Sequence, residues 1–392
     1  MKKSLLKGLL LLTASLTLVG CGDNSEESSS SSITTEPTTP TTTDTSIEEE
    51  KVLKKAHGSG ALFAEYEGFM ANDASIIEED NVRYVAYVSN EEENNTETAI
   101  YVRKGTKDEN GKYVYGERKL AIKGGVWDKK VTAPSIIKGE FKLGDETYSY
   151  LMAYQGNASD DNTNNNIGFA YAKDIMGEWK KVGEVASVTY STDIHGKNIY
   201  GMGSPELINL DKKGSLGLFY TWGESTLTCT AVKKLNASDL NAITIKGDYQ
   251  ITVKGLKDGG DNPIFANAGF ALSNDGSKLF TARDIYPLSS VAPGHSNKIE
   301  VASASSSIVD NIELSWNSES VILGSDTIVL DDPDSRGWDE IYSASFVKDG
   351  FGYLLNDDSV EVVYSGMDEK DSYESDYRFS SFVCSMNVSL TK

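Results

Sequence analysis

Histidine, cysteine and proline are all scarce in this chain of 392 residues. Three histidines, none at ligand spacing, build no metal site, and no motif asks for a cofactor. Beyond Cys21 there are two cysteines, Cys229 and Cys384, each inside a strand-like run, and they form either one disulfide or two buried thiols. Basic charge is in the minority, with 37 Lys and Arg against 59 Asp and Glu and a formal net charge of −22. That balance argues against nucleic acid or an anionic lipid surface as a partner, because both demand a basic face. A neutral ligand stays compatible. After the first twenty residues no run is long and apolar enough to span a membrane. What the chain does have is 20 Tyr, 12 Phe and 35 Gly against 8 Pro, and so many aromatics and turn residues point to an all-β protein.

The N-terminus is a segment of its own. Lys2, Lys3 and Lys7 form a basic start, residues 9–18 are mostly apolar, and the stretch ends in Leu18-Val19-Gly20-Cys21. That order reads as a secretory signal, 1–20, too short to cross roughly 30 Å of hydrocarbon comfortably. Small Gly20 before a cysteine resembles the lipobox cut by lipoprotein signal peptidase. The expectation is a mature chain that begins at an acylated Cys21 and is held, by that lipid alone, on a bacterial cell membrane or outer membrane, facing outside the cytoplasm. Losing the three signal lysines takes the formal charge from −22 to −25. Residues 22–50, in a stalk taken as 21–50, are almost entirely Gly, Ser, Thr, Asp, Glu and Pro with only Ile33 and Ile47 as aliphatics, a composition that cannot bury enough surface to fold. They read as a flexible stalk, and residues 51–392 as the folded domain.

Inside that domain one motif recurs. Asn72-Asp73-Ala74-Ser75-Ile76-Ile77, Thr132-Ala133-Pro134-Ser135-Ile136-Ile137, Gly203-Ser204-Pro205-Glu206-Leu207-Ile208 and Tyr342-Ser343-Ala344-Ser345-Phe346-Val347 share a small or polar start and two apolar residues at the end. Asn267-Ala268-Gly269-Phe270-Ala271-Leu272 fills the gap between the third and fourth, giving intervals of 60, 71, 63 and 76 residues from positions 74, 134, 205, 268 and 344. After each comes a turn and a second strand, expected over 83–88, 148–154, 216–222, 278–283 and 351–355. Third strands are expected over 99–103, 167–172, 227–232, 298–304 and 378–386. Five units of several antiparallel strands predict a five-bladed β-propeller, with Asp73, Ala133, Ser204, Asn267 and Ser343 around one channel mouth. A pair of β-sandwiches would give no reason for five similar starts.

The first motif, followed by Val82-Arg83-Tyr84-Val85-Ala86-Tyr87, resembles the Asp-Pro first-blade motif of glycoside hydrolase family 43 and its five-bladed relatives. Ile167-Gly168-Phe169-Ala170-Tyr171-Ala172-Lys173-Asp174, ending in Gly177-Glu178-Trp179, resembles that family's second-blade segment. The similarity covers roughly 70–392. It implies hydrolysis of a glycosidic bond by two carboxylates, one activating water and one protonating the leaving oxygen. The family's base maps onto Asp73. Its second aspartate falls on Ser135, and its acidic glutamate on Gly203, so Glu206, just after Pro205, is the candidate acid.

Other carboxylates and aromatics stand where the chain approaches the inner strands: Trp127 with Asp128, Asp193 with His195, Asp261 with Asn262, and Trp338 with Asp339 and Glu340. An apolar ring face that stacks beside groups that hydrogen-bond suits a sugar, so these, Ser135 and Asn267 are candidate substrate contacts. His295, in Pro293-Gly294-His295, resembles the family's histidine near a central ion, but without ligand spacing it marks no metal site. Two readings follow: a tethered glycosidase acting on poly- or oligosaccharide, or a carbohydrate-binding or structural propeller without catalysis, which Ser135 and Gly203 favour.

Overall fold

Alternation of apolar residues over short runs, punctuated by turn signals, produces strands and almost nothing else. The computed structural model describes residues 52–159, 163–189, 199–223, 228–257, 265, 267–285, 296–305, 314–368 and 377–390. Cys21, the stalk, Asp193, His195, Asp261, Asn262 and His295 lie outside the described residues. The first unit is β1 (Asn72–Glu79), β2 (Val82–Asn90) and β3 (Thr98–Lys107), edged by the short β4 (Tyr113–Tyr115) and β5 (Lys119–Ile122). The second is β6 (Lys130–Leu143), β7 (Glu146–Asn157), β8 (Asn166–Ala172) and β9 (Lys180–Lys181), and the third β10 (Gly201–Asn209), β11 (Ser215–Gly223), β12 (Thr228–Asn236) and β13 (Thr244–Gln250). The fourth is β14 (Ala268–Leu272), β15 (Lys278–Asp284), β16 (Lys298–Ser305) and β17 (Asn317–Leu323), and the fifth β18 (Glu340–Asp349), β19 (Ser359–Met367) and β20 (Phe382–Ser389). Pairing within each unit is antiparallel. The β1–β2 turn shows why it is tight: Asp80 and Asn81 have φ of 52° and 61°, the left-handed pair that a two-residue hairpin needs.

Both faces of each sheet are apolar because both are covered. Ile77, Ala86 and Val102 of the first unit pack with Ile136, Met152 and Ala170 of the second. Leu151 and Phe169 meet Leu207 and Leu218 of the third, whose Phe219 stacks on Phe270 of the fourth with ring centroids 4.2 Å apart. Phe280 and Val301 meet Phe346 and Val362 of the fifth, and Val347 and Val363 return to Ile76 and Val85 of the first. The units thus pack in cyclic order, and each buried Phe or Leu contributes roughly 1.5–3 kcal/mol of transfer free energy. At the seam β1 runs parallel to β18, with Ile76 opposite Val347. The segment before the first unit fastens the ring by lying along β20, where Leu62 N donates to Val383 O at 3.0 Å and Ser385 N to Gly60 O at 2.9 Å. Gly60 has φ +89°, and a Cβ there would stand 2.6 Å from Ser385 O, so no other residue fits. Cys229 and Cys384, in β12 and β20, are buried thiols rather than a disulfide.

One expected strand is misplaced. Residues 351–355 are not the second strand of the fifth unit; that strand is β19, eight residues further on. Asp349 Oδ1 accepts from Phe351 N and Tyr353 N, and Gly352 at φ +91° turns the chain again, so the apolar run folds under the inner strands instead of continuing as a hairpin. The third strand of that unit also starts later than expected, because residues Tyr377–Ser380 form a 3-10 turn before β20.

Candidate functional site

Each unit opens with the same backbone irregularity. Asp73, Ala133, Ser204, Asn267 and Ser343 have φ of 49°, 46°, 45°, 47° and 53°. Non-glycine residues rarely adopt that region, and it costs of order 1–3 kcal/mol where it is imposed. Four of the five inner strands shift register there: between Asn72 and Ser75, Thr132 and Ser135, Gly203 and Glu206, and Tyr342 and Ser345. The kink is held from the preceding unit. Ser204 N donates to Gln155 Oε1, Asn267 N to Thr221 Oγ1, Ser343 N to Asp284 Oδ2 and Asp73 N to Ser365 Oγ, all at 2.8–3.0 Å. Gln155, Thr221, Asp284 and Ser365 all stand near the end of a second strand, a repeat that aligning those strands in the sequence would have exposed. The last bond joins the fifth unit to the first.

The kinks turn the five side chains into one pocket, which they line together as partly exposed positions in otherwise buried strands. Its empty volume is about 370 Å³, open solvent included. Ser343 Oγ donates to Asp73 Oδ1 at 2.5 Å, and Ser204 Oγ donates to Asn267 Oδ1 at 2.9 Å. Tyr200, absent from the sequence expectation, donates to Gln155 Oε1 at 3.0 Å and lies 3.4 Å from Ser204 Oγ. Burial pushes its phenol up to about 12, helped by the Asp73 charge, so it stays protonated. Asn267 and Asp73 therefore sit at the mouth, as expected.

Two residues further along each strand a second layer fills the channel: Ser75, Ser135, Glu206, Gly269 and Ser345, all buried. Ser135 Oγ donates to Glu206 Oε1 and Ser345 Oγ to Glu206 Oε2, each at 2.7 Å, and Lys348 Nζ pairs with Oε1 from a fully buried position. Ser135 Oγ also accepts from Leu207 N at 3.0 Å. These bonds tie Glu206, which also lines the pocket, to Ser135 of the second unit and to Ser345 and Lys348 of the fifth.

Below that layer the run misplaced as a strand closes the channel. Gly350 O accepts from Lys138 N, Phe351 O from Asn209 N and Gly352 O from Leu272 N, so three successive carbonyls cap the second, third and fourth inner strands at equivalent positions. A Cβ on Gly352 would meet Ile208 Cα at 3.1 Å. The pocket is blind.

At Gly203, the position onto which the sequence resemblance maps the acid, the space is taken. A Cβ there would lie 2.1 Å from Gln155 Oε1 and 2.4 Å from the Tyr200 oxygen. The rim candidates are also engaged in packing. Trp338 is buried, its Nε1 donating to Ser59 O at 3.0 Å and its ring 5.2 Å from Phe382, so it is no stacking platform. Trp127 lies against Tyr154, and Asp128 is fully buried, accepting from Tyr154 Oη at 2.9 Å and Lys181 Nζ at 2.6 Å. Asp339 precedes β18 and Glu340 opens it; Arg336 Nη2 lies 3.8 Å from Asp339 and 3.3 Å from Asp368, a buried carboxyl that desolvation raises above its usual range. Among the described residues no group of three His, Cys, Asp or Glu side chains could hold a metal ion.

The fold is the β-propeller of glycoside hydrolases. No family model matches the sequence, and the search of curated proteins returned no match. Among solved structures the chain is similar to the catalytic domain of a family 62 α-L-arabinofuranosidase from Coprinopsis cinerea, with a TM-score of 0.53 and 12% identity over 87% of this chain and 97% of that one. An α-L-arabinofuranosidase from Lactobacillus brevis gives 0.51 and 12%, over 81% and 90%. A family 117 glycoside hydrolase from the marine bacterium Zobellia galactanivorans gives 0.50 and 13%, over 87% and 89%. At such identities the likeness is one of fold.

Proposed function

We propose that this chain is an exported, lipid-tethered propeller that captures saccharide at the blind mouth between its five inner strands, on a glycosidase scaffold, without cleaving it. The observation that carries the reading is Gly203: the place of the acid is glycine, its space is filled by Gln155 and Tyr200, and Glu206 nearby is neutralised by Lys348. Hydrolysis needs a second carboxyl across the sugar from Asp73. Of the two carboxylates among the described residues lining the mouth, Asp73 and Glu206, Glu206 is paired with the buried Lys348. A related hydrolase of family 62 was solved with xylotriose, which supports a saccharide as the ligand class.

Hydrolysis is the second reading, favoured by Asp73 standing at the first-unit kink as a base would, with Glu206, Asp261, Asp339 or Glu340 as the candidate partner. One experiment separates the two: binding and turnover measured on a panel of oligosaccharides and aryl glycosides. Binding without turnover, lost in Asp73→Asn, supports capture. Turnover in wild type that falls by orders of magnitude in Asp73→Asn supports hydrolysis, because an amide keeps the shape but takes no proton. Tethering is tested by Cys21→Ser, which releases the protein from the membrane fraction if the lipid is the anchor.

A further inference from the structure

A lysine nitrogen sits on the seam where the ring closes. Residues 52–69, the strap that leads into the first unit, double back on themselves: Lys54 N donates to Glu65 O and Glu67 N to Val52 O, each at 2.9 Å. Between those arms the strap lies on the fifth unit. Gly58 packs so close to Trp338 that a Cβ would stand 2.5 Å from its ring, and Trp338 Nε1 donates to Ser59 O at 3.0 Å. The return arm lies on the first unit, where Glu65 accepts from Tyr87 Oη and Arg103 Nη2, both at 3.2 Å. Lys54 Nζ reaches both units: it donates to Phe69 O, ahead of β1, at 2.8 Å and to Ser381 O, ahead of β20, at 2.6 Å, with the Phe382 ring centroid 4.6 Å away.

Two carbonyls match the two N–H groups of a neutral amine, whereas an ammonium brings a third donor and a charge. Holding that charge out of water against carbonyls rather than a carboxylate is costly. Glu65 attracts it from the return arm but is bonded to Arg103 and Tyr87, and Cys384 of β20 is the other titratable group facing it. Desolvation outweighs both and brings the Lys54 pKa down to about 7. The Cys384 thiol is itself pushed up by burial and stays protonated. Ser381 carries the connection inward, since its Oγ accepts from Ala71 N at 3.2 Å and from Asn72 Nδ2 at 3.4 Å, the two residues ahead of Asp73.

We propose that the strap is a proton-sensitive latch on this seam, held when the Lys54 nitrogen is uncharged and loosened when it takes up a proton, and that its release frees the residues leading into Asp73. Released, Lys54 returns to the ordinary lysine range near 10.5, so between about 7 and 10.5 the docked strap binds fewer protons and holds harder as pH rises. Below 7 both states are protonated and the hold is weakest.

Hydrogen exchange of the full chain, read by mass spectrometry between pH 6 and 8 and divided by the rates of the same peptides unfolded, tests this. Amides of residues 52–69 should exchange faster than those of β12 at each pH, because the latch opens without the ring unfolding, and their protection should rise about tenfold across the range. Amides of residues 70–72 should follow them. Lys54→Met should abolish the rise, as should Lys54→Arg, which stays charged throughout. His57 Nε2 lies 3.7 Å from Asp368 Oδ2, and the rise should persist in His57→Gln. A level profile in wild type, a rise that survives Lys54→Met, or strap amides that exchange no faster than β12 overturns the latch. If residues 70–72 exchange with β12 instead of with the strap, the link to the mouth is overturned.

Discussion

Asp73 and Glu206 reach the same channel from equivalent strands, yet two residues of depth give them different surroundings. Asp73 occupies the kink, partly exposed, with the Ser343 hydroxyl donating to its carboxylate. Glu206 lies one layer lower, with two serine hydroxyls and a lysine ammonium on it. The layer of kinks is partly exposed; the layer beneath is a buried floor. A carboxylate's position in the repeat therefore does not define its role until its depth is known.

The strongest way to break that contrast is to remove one partner in the floor. Glu206→Ala or Lys348→Met leaves an uncompensated buried charge and should cost about 3–5 kcal/mol of unfolding free energy, whereas Glu206→Leu with Lys348→Met should recover most of it. Urea unfolding measures this. Single variants as stable as wild type would show that the pair is not the floor's fastener. Next in size is the plug: Gly352→Ala forces a side chain onto a φ of +91° and against Ile208, with an expected loss of about 1 kcal/mol or more by the same assay.

A third test sharpens the contrast between buried lysines. Lys348 faces a carboxylate, but Lys54 donates to two carbonyls, Phe69 O at 2.8 Å and Ser381 O at 2.6 Å, and burial lowers its pKa to about 7 despite the attraction of Glu65. A lysine whose folded pKa lies below its unfolded value binds fewer protons folded than unfolded between the two. Stability should therefore rise with pH from about 7 toward the ordinary lysine range near 10.5. Lys54→Met should flatten that part of the stability profile, and an unchanged slope would remove Lys54 as its source.

The smallest structural effect is expected at the mouth itself. Asp73→Asn keeps a residue that tolerates the left-handed region and an oxygen that can accept from Ser343, so stability should stay within about 0.5 kcal/mol while saccharide binding falls. A large loss of stability would make Asp73 part of the frame rather than of the site.

Much of the fold is legible in the chain because the kink recurs. Five short motifs at comparable spacing place Asp73, Ala133, Ser204, Asn267 and Ser343 together, and the structure puts all five on one pocket. The 351–355 run is misread because an apolar stretch after Asp349-Gly350 has the signature of a second strand, and only the inner strands of three other units, capped by its carbonyls, give it a different place. Trp338 and Asp128 look like rim groups because aromatic and acidic types beside a strand start suit a sugar equally well as a packed core; Ser59 and Lys181, which engage them, are far away in sequence. Asp261, Asn262 and Cys21 fall outside the described residues.

Local sequence marks most of the strands, the turns and the positions of the five kinks, since alternation, turn chemistry and a small or polar residue at the start of each unit act within a few positions. The tertiary structure decides which carboxylate meets solvent. Lys348 lies 142 residues from Glu206, and Gln155 is 45 from Tyr200. Only closure of the ring brings an ammonium to one carboxylate and fills the space at Gly203, because desolvation and pairing depend on neighbours that the linear order keeps apart.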